Sequence, residues 1–179
     1  MKKLFTVQKI AFVLYIAVTL AAFVYAVAFM TQYSNLGGLK TAQNKLIANF
    51  YEAGLQTFNR WILAWALVAV VGIALIFALE LRTRVPDRFA LVVAVLFLAL
   101  CCYGAWFAIV NLQALSVYYQ GLDFSHLALE GGPADYQPKL TTFHLGTGIY
   151  VAQMAVCVGF GAILAASHIK YKKLERGRA

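Results

Sequence analysis

Apolar residues are gathered into four long runs, and shorter polar stretches separate them. The runs cover residues of about 10–30, 61–80, 88–110 and 145–167. A helix needs about 20 residues to cross the hydrocarbon core of a bilayer, and each run has that length. The runs are continuous rather than alternating, which favours helices over the strands of a membrane barrel. The pattern therefore predicts four transmembrane helices.

These runs and their connections use almost the whole chain of 179 residues. We therefore predict an all-α integral membrane protein, a single domain over residues 1–179, whose four transmembrane helices form an up-down antiparallel bundle. The segments 31–60 and 111–144 are longer than the other connections, and apolar residues recur at helical spacing in parts of both. We expect these segments to form helical extensions on the external side.

Helix ends are marked by a few residues. Pro86 and Asp87 are typical of a helix start, because proline fits the first turn and a carboxylate favours the positive end of the helix dipole. Glu80 and Arg84 are spaced as an ion pair one turn apart. Gly121 is typical of a helix end. The third helix should therefore run from about residue 88 to the region before Gly121.

Positive charge is concentrated on one side of this predicted topology. The net charge is +8, and the basic residues cluster near the amino end, around residues 82–88 and in the tail after residue 168. The positive-inside rule then places both termini in the cytoplasm, and the short connections favour a bacterial inner membrane. We expect the tail to contact anionic lipid headgroups. Nucleic acid is not an expected partner, because few aromatic residues interleave these charges.

The middle of each predicted span lacks aspartate, glutamate, lysine, arginine and histidine. Coupled transporters normally keep an ionisable group in the membrane interior, so the sequence argues against pumps and coupled carriers. Cys101, Cys102 and Cys157 all lie within spans, which excludes a disulfide in an external loop. We interpret these three thiols as packing residues.

The fourth run has two contrasting faces. Four small residues fall on one stripe at 100° per residue: Gly148, Ala152, Ala155 and Gly159. In lipid, small residues let a neighbouring helix approach closely, so we expect this row to pack against the small residues of the third run. Gln153 lies near the opposite side, and an amide is costly against lipid. We expect it to face a partner or a cavity.

Aromatic residues of the external segments are candidates for contacts with a partner protein. Four of them recur at helical spacing and are expected to make such contacts: Tyr51, Phe58, Tyr118 and Tyr119.

One external cluster has the residue types of a metal site. Asp123, His126 and His144 offer the imidazole and carboxylate ligands that Zn²⁺ prefers. The spacing of these residues is common, and nothing in the sequence places His144 beside the other two. The ordinary interpretation is loop solvation, so we expect no metal and no cofactor. Haem is also disfavoured, because His144 and His168 lie at opposite ends of the fourth run.

These observations favour a non-catalytic membrane accessory or assembly subunit that acts through helix–helix association with other membrane proteins or with itself. One alternative is a passive channel or transporter component, with Asn111, Gln113 and Tyr150 lining an outward-facing vestibule. A further alternative is a membrane enzyme that uses a metal site in the external loop. An enzyme is the weaker interpretation, because no base and activated water can be placed in a dry pocket.

Overall fold

The computed structural model describes residues 2–33, 45–122 and 139–176, with the backbone alone for residues 2–4. Within these ranges the regular structure is helical. Helix α1 spans Lys2–Ala28 and continues as a 3₁₀ turn over Phe29–Tyr33. Helix α2 spans Lys45–Ala78, α3 spans Arg88–Gln120 and α4 spans Thr141–Arg176. The described residues thus contain four helices long and apolar enough to cross a membrane, as the sequence predicted.

The outer surfaces of all four helices are apolar. Large aliphatic side chains remain exposed on each of them, for example Val24, Val71, Leu96 and Val158. A water-soluble protein of this size rarely exposes so much apolar surface. Such surfaces suit contact with lipid.

The four helices contact one another in a cyclic order. Helix α1 packs against α2 and α4, and α3 packs against the same two helices. Aromatic contacts between α1 and α4 run from Phe12 with Phe160 to Phe29 with Phe143, so these two helices are antiparallel. The most extensive contact joins α3 to α4.

Helix α2 contains a π-helical segment near its start. The α-helix Lys45–Asn49 leads into a π-helix over Phe50–Gln56, and the α-helix Thr57–Ala78 follows without a break. The apolar stretch before the second run therefore joins the second helix. Phe50 and Leu55 of this segment are buried.

The connection between α2 and α3 is short and is held by an ion pair and hydrogen bonds. Glu80 has a positive φ of 51°, which ends α2, and its carboxylate pairs with Arg84 at 2.6 Å as predicted. Asp87 accepts a hydrogen bond from the Ala90 amide at 2.7 Å and so caps α3. A ring nitrogen of His168 lies 2.8 Å from the Pro86 carbonyl oxygen, which joins the end of α4 to this turn.

Two clusters of buried residues fill the interior. One lies toward the 3₁₀ turn of α1 and contains the rings of Phe29, Tyr33, Phe50, Tyr119 and Phe143. The other lies toward the α2–α3 connection and contains Phe12, Tyr15, Leu98, Cys157 and Phe160. Each cluster contains residues from all four helices, so the clusters hold the helices together.

Candidate functional site

The inner face of α4 is a row of buried residues spaced three and four apart. Its members are Phe143, Gly146, Tyr150, Gln153, Cys157, Phe160, Leu164 and Ser167. Residues spaced alternately three and four apart lie on one side of a helix, and here that side packs against the neighbouring helices. Gln153 therefore faces the other helices of its own chain.

A side chain of α1 comes close to the α4 backbone at Gly146. The ring of Tyr25 lies against the Gly146 backbone, and a Cβ atom at that position would overlap the ring. The Tyr25 hydroxyl donates a hydrogen bond to the Thr142 carbonyl oxygen at 3.0 Å. The same ring meets Tyr150 edge-on, with centroids 5.9 Å apart. Gly146 thus provides the space that a buried tyrosine occupies.

A phenol and three thiols meet in the interior and connect all four helices. The Tyr15 hydroxyl donates to the Ala69 carbonyl oxygen at 2.8 Å and lies 3.7 Å from the Cys101 sulfur. The Cys157 thiol on α4 lies beside the Cys101 and Cys102 thiols on α3 and interacts with both. The thiols fill interior space, and Cys101 and Cys157 are close enough to interact directly.

Some buried polar residues were missed by the sequence analysis. Gln8 and Thr19 are fully buried on α1, and neither side chain has a hydrogen-bond partner among the described residues. Tyr150 is also buried, and its hydroxyl has no such partner. The signal was available: Gln8, Tyr15 and Thr19 fall on the same repeat of three and four as the buried residues of α4.

The outer face of α4 carries the predicted small-residue row. Gly148, Ala152, Ala155 and Gly159 are all exposed. A Cβ atom at Gly148 or Gly159 would meet no described atom within 4 Å. The expectation that this row packs against the third helix of the same chain is therefore wrong.

The third helix does bury its own small residues. These are Ala90, Ala94, Cys101, Ala105 and Ala108. On α4 the opposite face is buried, because it carries the large rings that fill the interior and the glycine that accepts Tyr25.

Two of the four aromatic residues expected to contact a partner are core residues. Phe58 is buried, and Tyr119 is 1% exposed and packs on Phe143 with ring centroids 5.7 Å apart. These two cannot reach a partner without disrupting the fold, which corrects the expectation for both. Tyr118 is 43% exposed and Tyr51 is half-buried, so these two remain accessible.

The three residues proposed to line a vestibule do not share one surface. The Asn111 amide donates to the Phe107 carbonyl oxygen of its own helix at 2.8 Å. Gln113 is exposed, whereas Tyr150 is enclosed in the interior. The expectation that these three residues line one vestibule is therefore wrong.

Only one of the candidate metal ligands falls within the described ranges. His144 is exposed near the start of α4, and Asp123 and His126 lie outside the described residues. Within the described ranges no three His, Cys, Asp or Glu side chains are arranged to hold a metal ion.

Comparisons with protein-family models, with curated proteins and with solved structures found no match for this chain.

Proposed function

We propose that this protein is a non-catalytic integral membrane subunit that works by binding a transmembrane helix of another chain. In this proposal the four apolar helices form an up-down antiparallel bundle in a bacterial inner membrane, with both termini in the cytoplasm. The apolar outer surfaces and the clustering of basic residues at one side support this arrangement. Exposed Lys170, Lys173 and Arg176 on the last turns of α4 would rest on anionic headgroups.

The outer face of α4 carries the proposal. Its exposed small residues continue past Gly159 through Ala162 and Ala166, over about 27 Å of helix from Gly148. Large exposed residues lie on both sides of the row, Val151 and Val158 on one side and Leu145 on the other, so the row forms a shallow groove between ridges. A groove of this shape lets the backbone of a second helix approach closely.

An energetic argument supports the same conclusion. A glycine in a helix costs about 1 kcal/mol relative to alanine. Gly146 offsets that cost by its contact with Tyr25, but Gly148 and Gly159 make no such contact within the described chain. A partner helix packed on this face would supply the missing contacts.

The experiment compares two substitutions on neighbouring residues of α4. Gly159→Leu fills the groove, and Val158→Leu changes the adjacent ridge, where a large exposed residue is already present. Each variant is purified in mild detergent beside the unaltered protein, and particle size and co-purifying subunits are measured. We expect Gly159→Leu to lose the partner and Val158→Leu to retain it.

Two labelled copies of the chain distinguish the kinds of partner. If the partner is a second copy, energy transfer occurs between the labelled chains and Gly159→Leu abolishes it. If the partner is a different subunit, Gly159→Leu instead loses a different co-purifying polypeptide. If Gly159→Leu leaves particle size, co-purifying proteins and energy transfer unchanged, the association proposal is wrong.

Topology has its own test. Reporter enzymes active only in the cytoplasm are fused at residue 1 and residue 179, and a third is inserted in the segment 123–138. The proposal requires activity at both ends and none in that segment. Activity in the segment alone would reverse the orientation.

A further inference from the structure

One arginine of the α2–α3 connection rests on an aromatic ring. The guanidinium carbon of Arg82 lies 4.1 Å from the centroid of the Phe77 ring. The Phe77 ring in turn meets the Phe12 ring of α1 edge-on, with centroids 5.3 Å apart. A cation–π contact of this kind orders the guanidinium and leaves most of its five N–H donors to bind another group.

The two carboxylates of the same connection are occupied by other groups. Glu80 pairs with Arg84 at 2.6 Å, and Asp87 accepts the hydrogen bond that caps α3. Arg82 is exposed, and no carboxylate of the described residues forms an ion pair with it. Its positive charge is therefore available to an anion from outside the described chain.

Arg82 lies at the membrane boundary that the apolar runs define. It follows the run of about 61–80 on α2, and Lys9 directly precedes the run of about 10–30 on α1. The contact between Phe12 and Phe77 brings these ends of the two helices together. Both cations are therefore placed at the depth of lipid headgroups on the same side of the bilayer.

Lys9 lies on the side of α1 that faces α2. At 3.6 residues per turn it is about 60° around the helix axis from Phe12, which contacts Phe77 of α2. It is about 160° from Tyr25, whose hydroxyl bonds to the backbone of α4. The side chain is also exposed. Lys9 and Arg82 therefore lie at the same end of the seam between α1 and α2.

Exposed aliphatic residues continue from Lys9 along α1 into the apolar layer. Val13 is 62% exposed and Leu20 is 48% exposed, and both lie within about 40° of Lys9 around the helix axis. An acyl chain whose headgroup lies beside Lys9 and Arg82 would run over these two side chains. A free phosphate ion would gain nothing from them, so the surface suits a phospholipid.

We propose that this end of the α1–α2 seam binds the phosphate of an anionic phospholipid through Arg82 and Lys9. A guanidinium binds phosphate oxygens through paired N–H groups, and an ammonium group adds a second positive charge. A headgroup with a net negative charge is favoured over a zwitterionic one, because no described carboxylate compensates Arg82. The site rests on the membrane insertion proposed above, but not on the partner helix or on the tail of α4.

A photoreactive lipid locates the site in the unaltered protein. The chain is reconstituted into phosphatidylcholine vesicles that contain a little phosphatidylglycerol with a photoreactive acyl chain, and mass spectrometry finds the labelled residues. Val158 of α4, which is 62% exposed, reports general contact with lipid. We expect about fivefold more label around Val13 and Leu20 than at Val158, and no such excess when phosphatidylcholine carries the photoreactive chain.

Two arginine substitutions separate a bound lipid from general attraction to charge. Arg82→Ala and Arg88→Ala each remove one exposed positive charge, but Arg88 begins α3, which packs against α2 and α4. Arg82→Ala should lower the phosphatidylglycerol label on α1 about fivefold, and Arg88→Ala should leave it unchanged. Phe77→Leu keeps the charge and removes the ring, so it should lower the same label about two- to fivefold. That variant also replaces Arg82→Ala should the latter fail to fold.

Three results would overturn the proposal. Equal losses in Arg82→Ala and Arg88→Ala would mean that surface charge attracts headgroups without a specific site. Loss of the α1 label when excess inorganic phosphate is added would mean that the cations hold a free ion instead of a lipid. Label on α1 no stronger than at Val158 would show ordinary lipid contact. Absence of label at both positions would instead contradict membrane insertion itself, and this site with it.

Discussion

The ring of Tyr25 lies against the backbone of Gly146, in space that any larger residue at 146 would occupy. The tyrosine hydroxyl reaches past this point to the Thr142 carbonyl oxygen, at 3.0 Å. This contact joins α1 to α4 on the side of α4 that faces the interior. Gly148 lies two residues away and points out of the packed helices.

Alanine at these two glycines should therefore have opposite effects. We expect Gly146→Ala to destabilise the protein by about 1–3 kcal/mol, because the added methyl displaces the Tyr25 ring. Gly148→Ala meets no described atom and should stabilise the isolated chain by up to about 1 kcal/mol, since alanine is the better helix former. Unfolding in mixed detergent and dodecyl sulfate measures both. Equal effects would contradict this assignment of the two faces.

Neighbouring tyrosines of α3 provide a test of the corrected core. Tyr119 is 1% exposed among aromatic rings, whereas Tyr118 is 43% exposed. Tyr119→Ala should cost about 3–5 kcal/mol, because it leaves a large cavity. Tyr118→Ala should cost far less in the same unfolding assay, because this side chain is already partly exposed and its removal leaves no enclosed cavity. A larger loss at Tyr118 would show that the helix is rotated from its described position.

The thiols of Cys101 and Cys157 should form a cross-link. They lie beside each other on α3 and α4, where the two thiols interact, and each is buried. Oxidation with copper phenanthroline in detergent should consume these two thiols and leave Cys102, whose thiol donates to the Met154 carbonyl oxygen at 3.8 Å. Counting the remaining thiols with a maleimide after denaturation gives one per chain.

Two variants control this measurement. Cys102→Ala should still form the cross-link, and Cys157→Ala should retain both of its thiols. Cross-linking that survives in Cys157→Ala would come from contacts between chains and would contradict the predicted pairing.

Capping of α3 by Asp87 supplies a further prediction. The Asp87 carboxylate accepts a hydrogen bond from the Ala90 amide at 2.7 Å. Asp87→Ala should lower stability by about 1 kcal/mol, and Asp87→Asn should have little effect because asparagine caps helices about as well. Both variants remove the negative charge, but only Asp87→Ala also removes the hydrogen-bond acceptor. Equal loss in both would indicate that the charge, and not the cap, is what matters.

Several features of the fold could be predicted from the sequence because they depend on local properties. Long apolar runs predict helices, since only a helix satisfies every backbone group within a single segment in lipid. Asp87 and Gly121 marked the ends of α3 through capping and backbone preferences, and the helix runs between them, over Arg88–Gln120. The pairing of Glu80 with Arg84 followed from helical spacing.

The interior could not be predicted in the same way. On α4 the row containing Gly148 and Gly159 and the row containing Gly146 and Gln153 have the same spacing and lie on opposite sides. Apolarity does not distinguish them, because lipid is as apolar as the protein interior. The small-residue rule selected the first row, and the structure buries the second.

The amino-acid pattern alone was enough to predict four long apolar helices, the two ends of α3 and two faces of unlike size on α4. Which of these faces is buried depends on packing between helices, and so do the glycine that receives Tyr25 and the small residues that remain uncovered. The reason is that helix formation depends on bonds within one segment, whereas helix orientation depends on the fit between rings and glycines of different segments.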